Sequence, residues 1–333
     1  MTYTGYGRVI KGVGGLFTVK LFTCGSRLHS EDDTPMPLDG HTVFARGRGV
    51  LHKKGALLVG DLVKVCYDQT SFTSENGEIL PAADGSGISI DEVLNRTCAL
   101  IRPPMANLDV LFVTLAAASP DPVPETVDKL IAIAEFNRIE PVIVITKSDL
   151  APSRAEELKS LYRNAGFNAF GVGFGADGDL QDLKDYINRI PDGKIAAFSG
   201  ASGVGKSTLL NTLFPSLRLE TGEISRRIER GKNTTRVVEL YPLSDASDCS
   251  FLADTPGFTM LDFERFDFFE KEDLPLTFRE FLPLIGSCRY TKCSHTKEEG
   301  CAIVDAVKAG TISPSRHKSF VSLYDILKKK TKW

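Results

Sequence analysis

Long apolar runs are missing from this chain. The longest, such as Val110 to Ala118, fall well short of the roughly 20 residues of a membrane helix, and MTYTGYGRVIKGVGG at the N-terminus is broken by Gly and Lys before the apolar core of a signal peptide could form. A cytoplasmic protein with no membrane partner is therefore expected. A strong charge of one sign is lacking too: the formal net charge is -3 over 333 residues, so the whole molecule is not the polycation that announces nucleic-acid binding by itself. Nor do its seven cysteines suit a disulfide framework, because their number is odd and Cys288, Cys293 and Cys301 crowd into fourteen residues. Cys24, Cys66, Cys98 and Cys249 are scattered and read as buried thiols in a reducing compartment. What is present is ordinary globular material, 42% hydrophobic and 25% charged, enough for two or three domains at ~100–200 residues each.

From Gly5 to about Tyr67 the chain is short-stranded and Gly-punctuated, with GRVI, GLFTVKLF, HTVFARGRGVL and GDLVKVCY as strands. Alternation in LFTVKLF puts Phe17, Val19 and Leu21 on one face, and several such strands predict a small barrel. The stretch from Thr70 to Ser89 reads as a loop or linker. Near Asp109 the rhythm changes. Strands DVLFVTL, PVIVIT, NAFGVGF, KIAAFSG, RVVELYPL and CSFLAD alternate with helices around 125–137, 153–165, 178–190 and 206–214, which predicts a mainly parallel, doubly wound sheet. Basic residues gather in three places: Arg46, Arg48, His52, Lys53 and Lys54; five bases against Glu229 alone in 226–236; and four lysines from Lys328.

The sharpest motif is Gly200, Ala201, Ser202, Gly203, Val204, Gly205, Lys206 and Ser207, with Thr208 following, between the apolar strand IAAF and the helix STLLNTLF. That is the setting of a phosphate-binding loop, whose backbone N–H groups and helix N-terminus cradle phosphate. Lys206 is expected on the β- and γ-phosphates and the Ser207 hydroxyl on Mg²⁺. Asp254 of DTPG, at the end of CSFLAD, is expected to hold the magnesium, and Gly257 to offer its N–H to the γ-phosphate. Between them GKNTTR supplies Thr235 for the metal shell, with Thr234 as competitor. Thr146, Lys147, Ser148 and Asp149 follow the strand PVIVI; a carboxylate here accepts guanine N1–H and N2–H₂, a pairing adenine cannot offer. The order is unusual, because this guanine segment precedes the phosphate loop. A parallel sheet closes equally well from a different starting strand, so the permuted order preserves the site. Finally, Cys288, Cys293, His295 and Cys301 form a compact Cys₃His set suited to one structural, tetrahedral Zn²⁺.

These motifs in this order resemble the ribosome small-subunit-dependent GTPase A family, the permuted GTPases also called YjeQ or EngC. The resemblance runs over nearly the whole length, through ARGRGVLHKKG, LIRPPMANLD, TKSDL, GASGVGKSTLLN, GKNTTR, DTPGF and the cysteine cluster. It implies a multidomain α/β chain: an N-terminal OB-fold barrel (1–72), a linker (73–104), a circularly permuted P-loop GTPase domain (105–265) and a C-terminal helical zinc-binding domain (266–333). It implies GTP hydrolysis to GDP, late maturation of the small ribosomal subunit as the task, stimulation by that subunit, and rRNA as a partner of a monomer. Arg46, Arg48, Lys53 and Lys54 then become the favoured rRNA phosphate contacts. The chain departs from the family pattern in three places and from Ras-like enzymes in a fourth. Asn233 stands where a histidine is usual and cannot shuttle a proton near neutral pH; Phe258 follows DTPG where Ras-like enzymes orient water with Gln. Thr146 replaces Asn, weakening the expected tie to the phosphate loop, and Gly173 stands where a Ser supports guanine. Slow intrinsic turnover is expected, with Asn233 as a candidate helper. The alternatives are a P-loop ATPase or small-substrate kinase, against which Asp149 speaks, and an RNA-binding module with a degenerate nucleotide site, against which Lys206, Ser207, Asp254 and Thr235 speak.

Overall fold

The computed structural model describes residues 2–23, 36–49, 56–75, 78–101, 103–173, 178–215, 238–244, 247–254 and 270–329, with the backbone alone at 101, 244, 247–249 and 254. The described residues form two compact units, one drawn from Met1–Leu108, Pro191–Ala197 and Ser225–Pro256, the other from Asp109–Ile190, Phe198–Ile224 and Gly257–Trp333.

The first unit begins with β1 (Thr2–Val13), β2 (Leu16–Leu21), β3 (Thr42–Gly47) and β4 (Leu62–Asp68). A hairpin of β5 (Phe72–Glu75) and β6 (Glu78–Pro81) follows, then β7 (Ser89–Val93), β8 (Ala99–Ile101) and β9 (Pro104–Ala106). Strand β1 pairs with β2 and with β4, β2 with β3, β3 in parallel with β7, and β7 with β4, so five strands close into a barrel of OB type. Its alternating residues Val9, Val19, Leu21, Val43, Val63, Val65 and Ile90 fill the interior. The closing strand β7 lies within 73–104, the stretch the sequence reads as linker. Five residues among Ser, Gly and Asp are too short to announce a strand; their pairing with β3 and β4 is what holds them extended.

The long β1 is also bulged. Register with β2 slips between Val9 and Lys11: Val9 faces Val19 inside the barrel, while Lys11 faces Thr18 on the outer surface. Simple alternation would have placed residues 9 and 11 on the same face. Farther along the chain β14 (Glu239–Ser244) and β15 (Ser247–Asp254) form an antiparallel pair; β15 runs parallel to the start of β13 (Ile195–Gly200), and β14 meets β1 at Lys11.

In the second unit β10 (Val110–Ala116), β11 (Glu140–Thr146) and β12 (Asn168–Val172) run parallel. Every residue of β10 is buried, as expected of a parallel strand covered on both faces. The connecting helices are α1 (Pro124–Phe136), α2 (Pro152–Asn164) and α3 (Leu180–Asn188), the first two opened by a proline whose missing N–H has no helical partner to lose. The end of β13 leads into α4 (Lys206–Leu213). Residues 270–329 add 3₁₀ turns at Leu274–Thr277 and Arg279–Leu284, then α5 (Ala302–Lys308) and α6 (Pro314–Lys329). Phe278 and Phe281 stack, and both meet Phe320 edge-on, at centroid separations of 5.0–5.3 Å. Beside them Arg316, 1% exposed, pairs with Asp128 of α1 and with Glu280 at 2.8 Å, under the ring of Phe278. Burial opposes the guanidinium charge, but the two carboxylates outweigh it and raise its pKa further. Arg279 likewise reaches Glu135 at 2.6 Å and Glu140 at 2.7 Å. The boundary expected near 265 lies outside the described residues. No helix among them is long and apolar enough to cross a membrane.

Candidate nucleotide site and metal cluster

The phosphate-loop sequence leaves β13 at Gly200, where a Cβ would lie 2.3 Å from the Thr114 carbonyl oxygen, so only glycine lets the loop spring from the sheet there. Gly205, at φ +91°, sets the left-handed turn from which α4 starts at Lys206. Ala201, Ser202, Gly203 and Thr208 are exposed, Gly205, Lys206 and Ser207 half-buried, and Val204 buried as the loop's anchor. The first-turn N–H groups of α4, which Lys206 opens, lie at one helix end, an arrangement that attracts a polyanion.

The TKSD segment meets this loop. The Thr146 hydroxyl donates to the carbonyl of Val204 and lies 3.1 Å from that of Leu115. Lys147 donates to the Ser119 carbonyl and, at 2.9 Å, to that of Gly203. The tie that an Asn would ordinarily supply is therefore made by a threonine hydroxyl. Asp149 is exposed at the end of this turn. A Cβ on Gly173 would come within 2.6 Å of Asp149 Oδ1 and 2.8 Å of its backbone nitrogen. Glycine, and not serine, is what this close approach demands. Neither the Thr146 tie nor this requirement is visible in the sequence, because each depends on two loops more than twenty residues apart.

Asp254 is the last residue of β15, where its Cα partner across the pair is Glu239. Asn233, Thr234, Thr235, Gly257 and Phe258 lie outside the described residues, as do Lys53, Lys54, Lys330 and Lys332. Arg46 is exposed on the outer face of β3. Arg48 is exposed too, but its Nε is 2.8 Å from Asp91, so part of its charge is already answered within the barrel.

Cys288, Cys293, His295 and Cys301 come together with their ligand atoms all within 4.8 Å of one another. Cys288 Sγ and Cys301 Sγ are 3.8 Å apart, and His295 Nδ1 is 3.5 and 3.6 Å from them. A tetrahedron with metal–sulfur bonds of ~2.3 Å and metal–nitrogen bonds of ~2.0–2.1 Å has edges of about 3.8 Å between sulfurs and about 3.5 Å from sulfur to nitrogen. The three separations among Cys288, His295 and Cys301 match those edges, and the distance between the two sulfurs is far too long for a disulfide. The four residues can hold a metal ion. Burial lowers the His295 pKa and so keeps the imidazole neutral, and it pushes the Cys293 thiol up to about 12, a cost that a cation bound to the thiolate would reverse.

Sequence reasoning missed Glu298, which shapes the ligand loop. Its carboxylate accepts from Ser294 N at 2.9 Å, from the Ser294 hydroxyl, and from Thr296 N and Lys297 N at 3.1 Å each. Burial works against this charge, but the hydrogen bonds prevail and hold its pKa at about 2. The only available signal was a glutamate three residues beyond a ligand, which any solvated surface could carry. His317 of α6 adds a contact to the His295 carbonyl at 2.8 Å.

A parallel sheet in which a guanine-type turn precedes, yet locks onto, a phosphate loop defines a circularly permuted P-loop GTPase. Comparison with known proteins agrees. The family model described as RsgA GTPase matches residues 93–264. The small ribosomal subunit biogenesis GTPase RsgA of Caldanaerobacter subterraneus subsp. tengcongensis is 34% identical over 98% of this chain and 97% of its own length. The protein of the same description from Enterococcus faecalis is 37% identical over 85% and 88%. Among solved structures, YjeQ from Thermotoga maritima superposes with a TM-score of 0.73 at 26% identity, covering 99% of this chain and 100% of that one. YloQ, described as a circularly permuted GTPase, gives 0.69 at 28%, covering 99% and 97%. The chain belongs to the RsgA GTPase family and is a GTP hydrolase. That membership sets aside the small-substrate kinase and the degenerate-site alternatives.

Proposed function

We propose that this GTPase acts in late maturation of the small ribosomal subunit, binding the subunit through its rRNA and leaving it when GTP is hydrolysed. The observation that carries the nucleotide part is the contact of Thr146 and Lys147 with the carbonyls of Val204 and Gly203. It couples base recognition to phosphate binding across the permutation. In this reading Asp149 accepts from guanine, with Lys147 over the base; residues 200–208 hold the phosphates; Lys206 neutralises the charge that develops during transfer. Ser207, Thr235 and Asp254 are oxygen donors of the kind that suit Mg²⁺ and would hold it, where it would supply positive charge to the phosphates. Gly257 donates to the γ-phosphate, and Asn233 orients water without accepting its proton. Arg46 and, with less free charge, Arg48 present the barrel to rRNA beside Lys53 and Lys54. The subunit names of the relatives support this partner. A cytoplasmic monomer is the working form.

Phosphate release from GTP and ATP, with and without purified small subunits, tests this. GTP-selective release that rises with subunits is expected, and equal rates with and without them would remove the subunit as partner.

The cluster's metal is zinc, closed by Cys288, Cys293, His295 and Cys301 and structural in role. One zinc per chain is expected on elemental analysis, and stripping it under denaturing conditions should prevent residues 270–329 from regaining protection against proteolysis. A metal-free preparation that refolds with the same protease resistance would remove that role.

A further inference from the structure

The Cys₃His cluster depends on a backbone conformation that histidine does not adopt by preference. His295 lies at φ +59°, one of four non-glycine residues with positive φ among those described. A residue with a Cβ persists there only where its surroundings over-determine the turn. In this turn Nδ1 of the buried imidazole stands 3.5 Å from the sulfur of Cys288 and 3.6 Å from that of Cys301.

Glu298 encloses the turn. One of its carboxylate oxygens accepts from the N–H and the hydroxyl of Ser294, just before the histidine; the other accepts from the N–H groups of Thr296 and Lys297, just after it. Four donors on two oxygens commit this carboxylate to the loop, and it is not one of the four clustered ligands. Its backbone carbonyl accepts from Cys301 N at 3.2 Å, so one residue ties the histidine turn to the last sulfur ligand. From the other side His317 Nε2 donates to the His295 carbonyl.

We propose that Glu298 is a positioning residue for the metal centre, and that by holding His295 in its left-handed turn it sets the affinity of the cluster for zinc. This rests on the reading of Cys288, Cys293, His295 and Cys301 as a zinc site. A loop that is already bent asks less of the free energy of binding. In Glu298→Gln one of the two accepting oxygens becomes an N–H₂ group that faces other N–H donors. Half of the hydrogen bonds around His295 are then lost, and the turn relaxes toward ordinary backbone with the imidazole off the ion.

Zinc transfer from the zinc-loaded full chain to a chromogenic chelator, at a series of chelator concentrations, measures the effect. Glu298→Gln should lower zinc affinity about tenfold, the low end of what losing an outer hydrogen-bond partner costs a metal site. Ser294→Ala removes one donor and keeps the carboxylate, so it should shift affinity the same way by less, and it serves where Glu298→Gln does not fold. Repeating both substitutions in a His295→Gly chain separates positioning from general support, because glycine has no imidazole to place and no Cβ to strain. There they should leave the affinity of the three remaining sulfurs unchanged. An equal loss with and without the histidine would mean that Glu298 supports the whole region, which overturns the proposal. So does wild-type affinity in Glu298→Gln. A wild-type chain that carries no zinc would instead remove the zinc reading of the cluster, and the proposal with it.

Discussion

Arg316→Met is expected to destabilise the second unit by about 3–5 kcal/mol, the usual cost of removing one partner from a buried ion pair. The reason lies in what stays behind. Asp128 is 1% exposed, and the Glu280 side chain is 7% exposed; without Arg316 their charges have neither water nor a cation. Methionine approximates the volume, so lost packing against Phe278 and Tyr162 contributes less. In a unit of this size the midpoint of thermal unfolding should fall by roughly 10 °C. The sign of the pH dependence separates charge from packing. Orphaned carboxylates have folded-state pKa values above their unfolded ones, so the deficit is fully developed at high pH and shrinks as pH falls and they take up protons. A deficit that does not change with pH would mean that Arg316 acts through packing alone. Replacing all three charges at once, as Arg316→Met/Asp128→Leu/Glu280→Met, should recover part of the loss.

Asp149→Asn is expected to weaken GTP binding by a hundredfold or more and to make xanthosine triphosphate the better ligand. The carboxylate offers two acceptors to guanine N1–H and N2–H₂, and hydrogen bonds to a charged group are worth ~1.5–3 kcal/mol each. An asparagine offers one acceptor and one donor; its N–H₂ meets guanine N2–H₂ donor to donor, but meets the carbonyl of xanthine productively. The substitution is nearly isosteric, so the close approach of residue 149 to Gly173 survives and the change reads out chemistry, not shape. Competition of unlabelled GTP, XTP and ATP against a fluorescent nucleotide measures it. Undiminished preference for GTP in the variant would take Asp149 out of base recognition.

The chemistry of this protein was written in short stretches of sequence, because each device needs neighbours in the chain. Eight consecutive residues, Gly200 to Ser207, make a loop that wraps an anion with its own backbone; four make a turn that presents Asp149; fourteen bring four metal ligands within reach. Buried parallel strands are equally plain: in β10 every residue but Thr114 is apolar. Their order along the chain shows the permutation directly. Tertiary structure decided what joins these pieces. Strand β7 closes the barrel out of a stretch that reads as linker, because pairing on both edges holds it extended. A hydroxyl at Thr146 does the work of an amide because the Val204 carbonyl comes to it, and Gly173 is needed because Asp149 folds against it. Lys11 meets Glu239 through a bulge that breaks the alternation, and Arg316 meets Asp128 across 188 residues. Contacts so distant along the chain impose no period and no local composition, so nothing in the linear order could carry them.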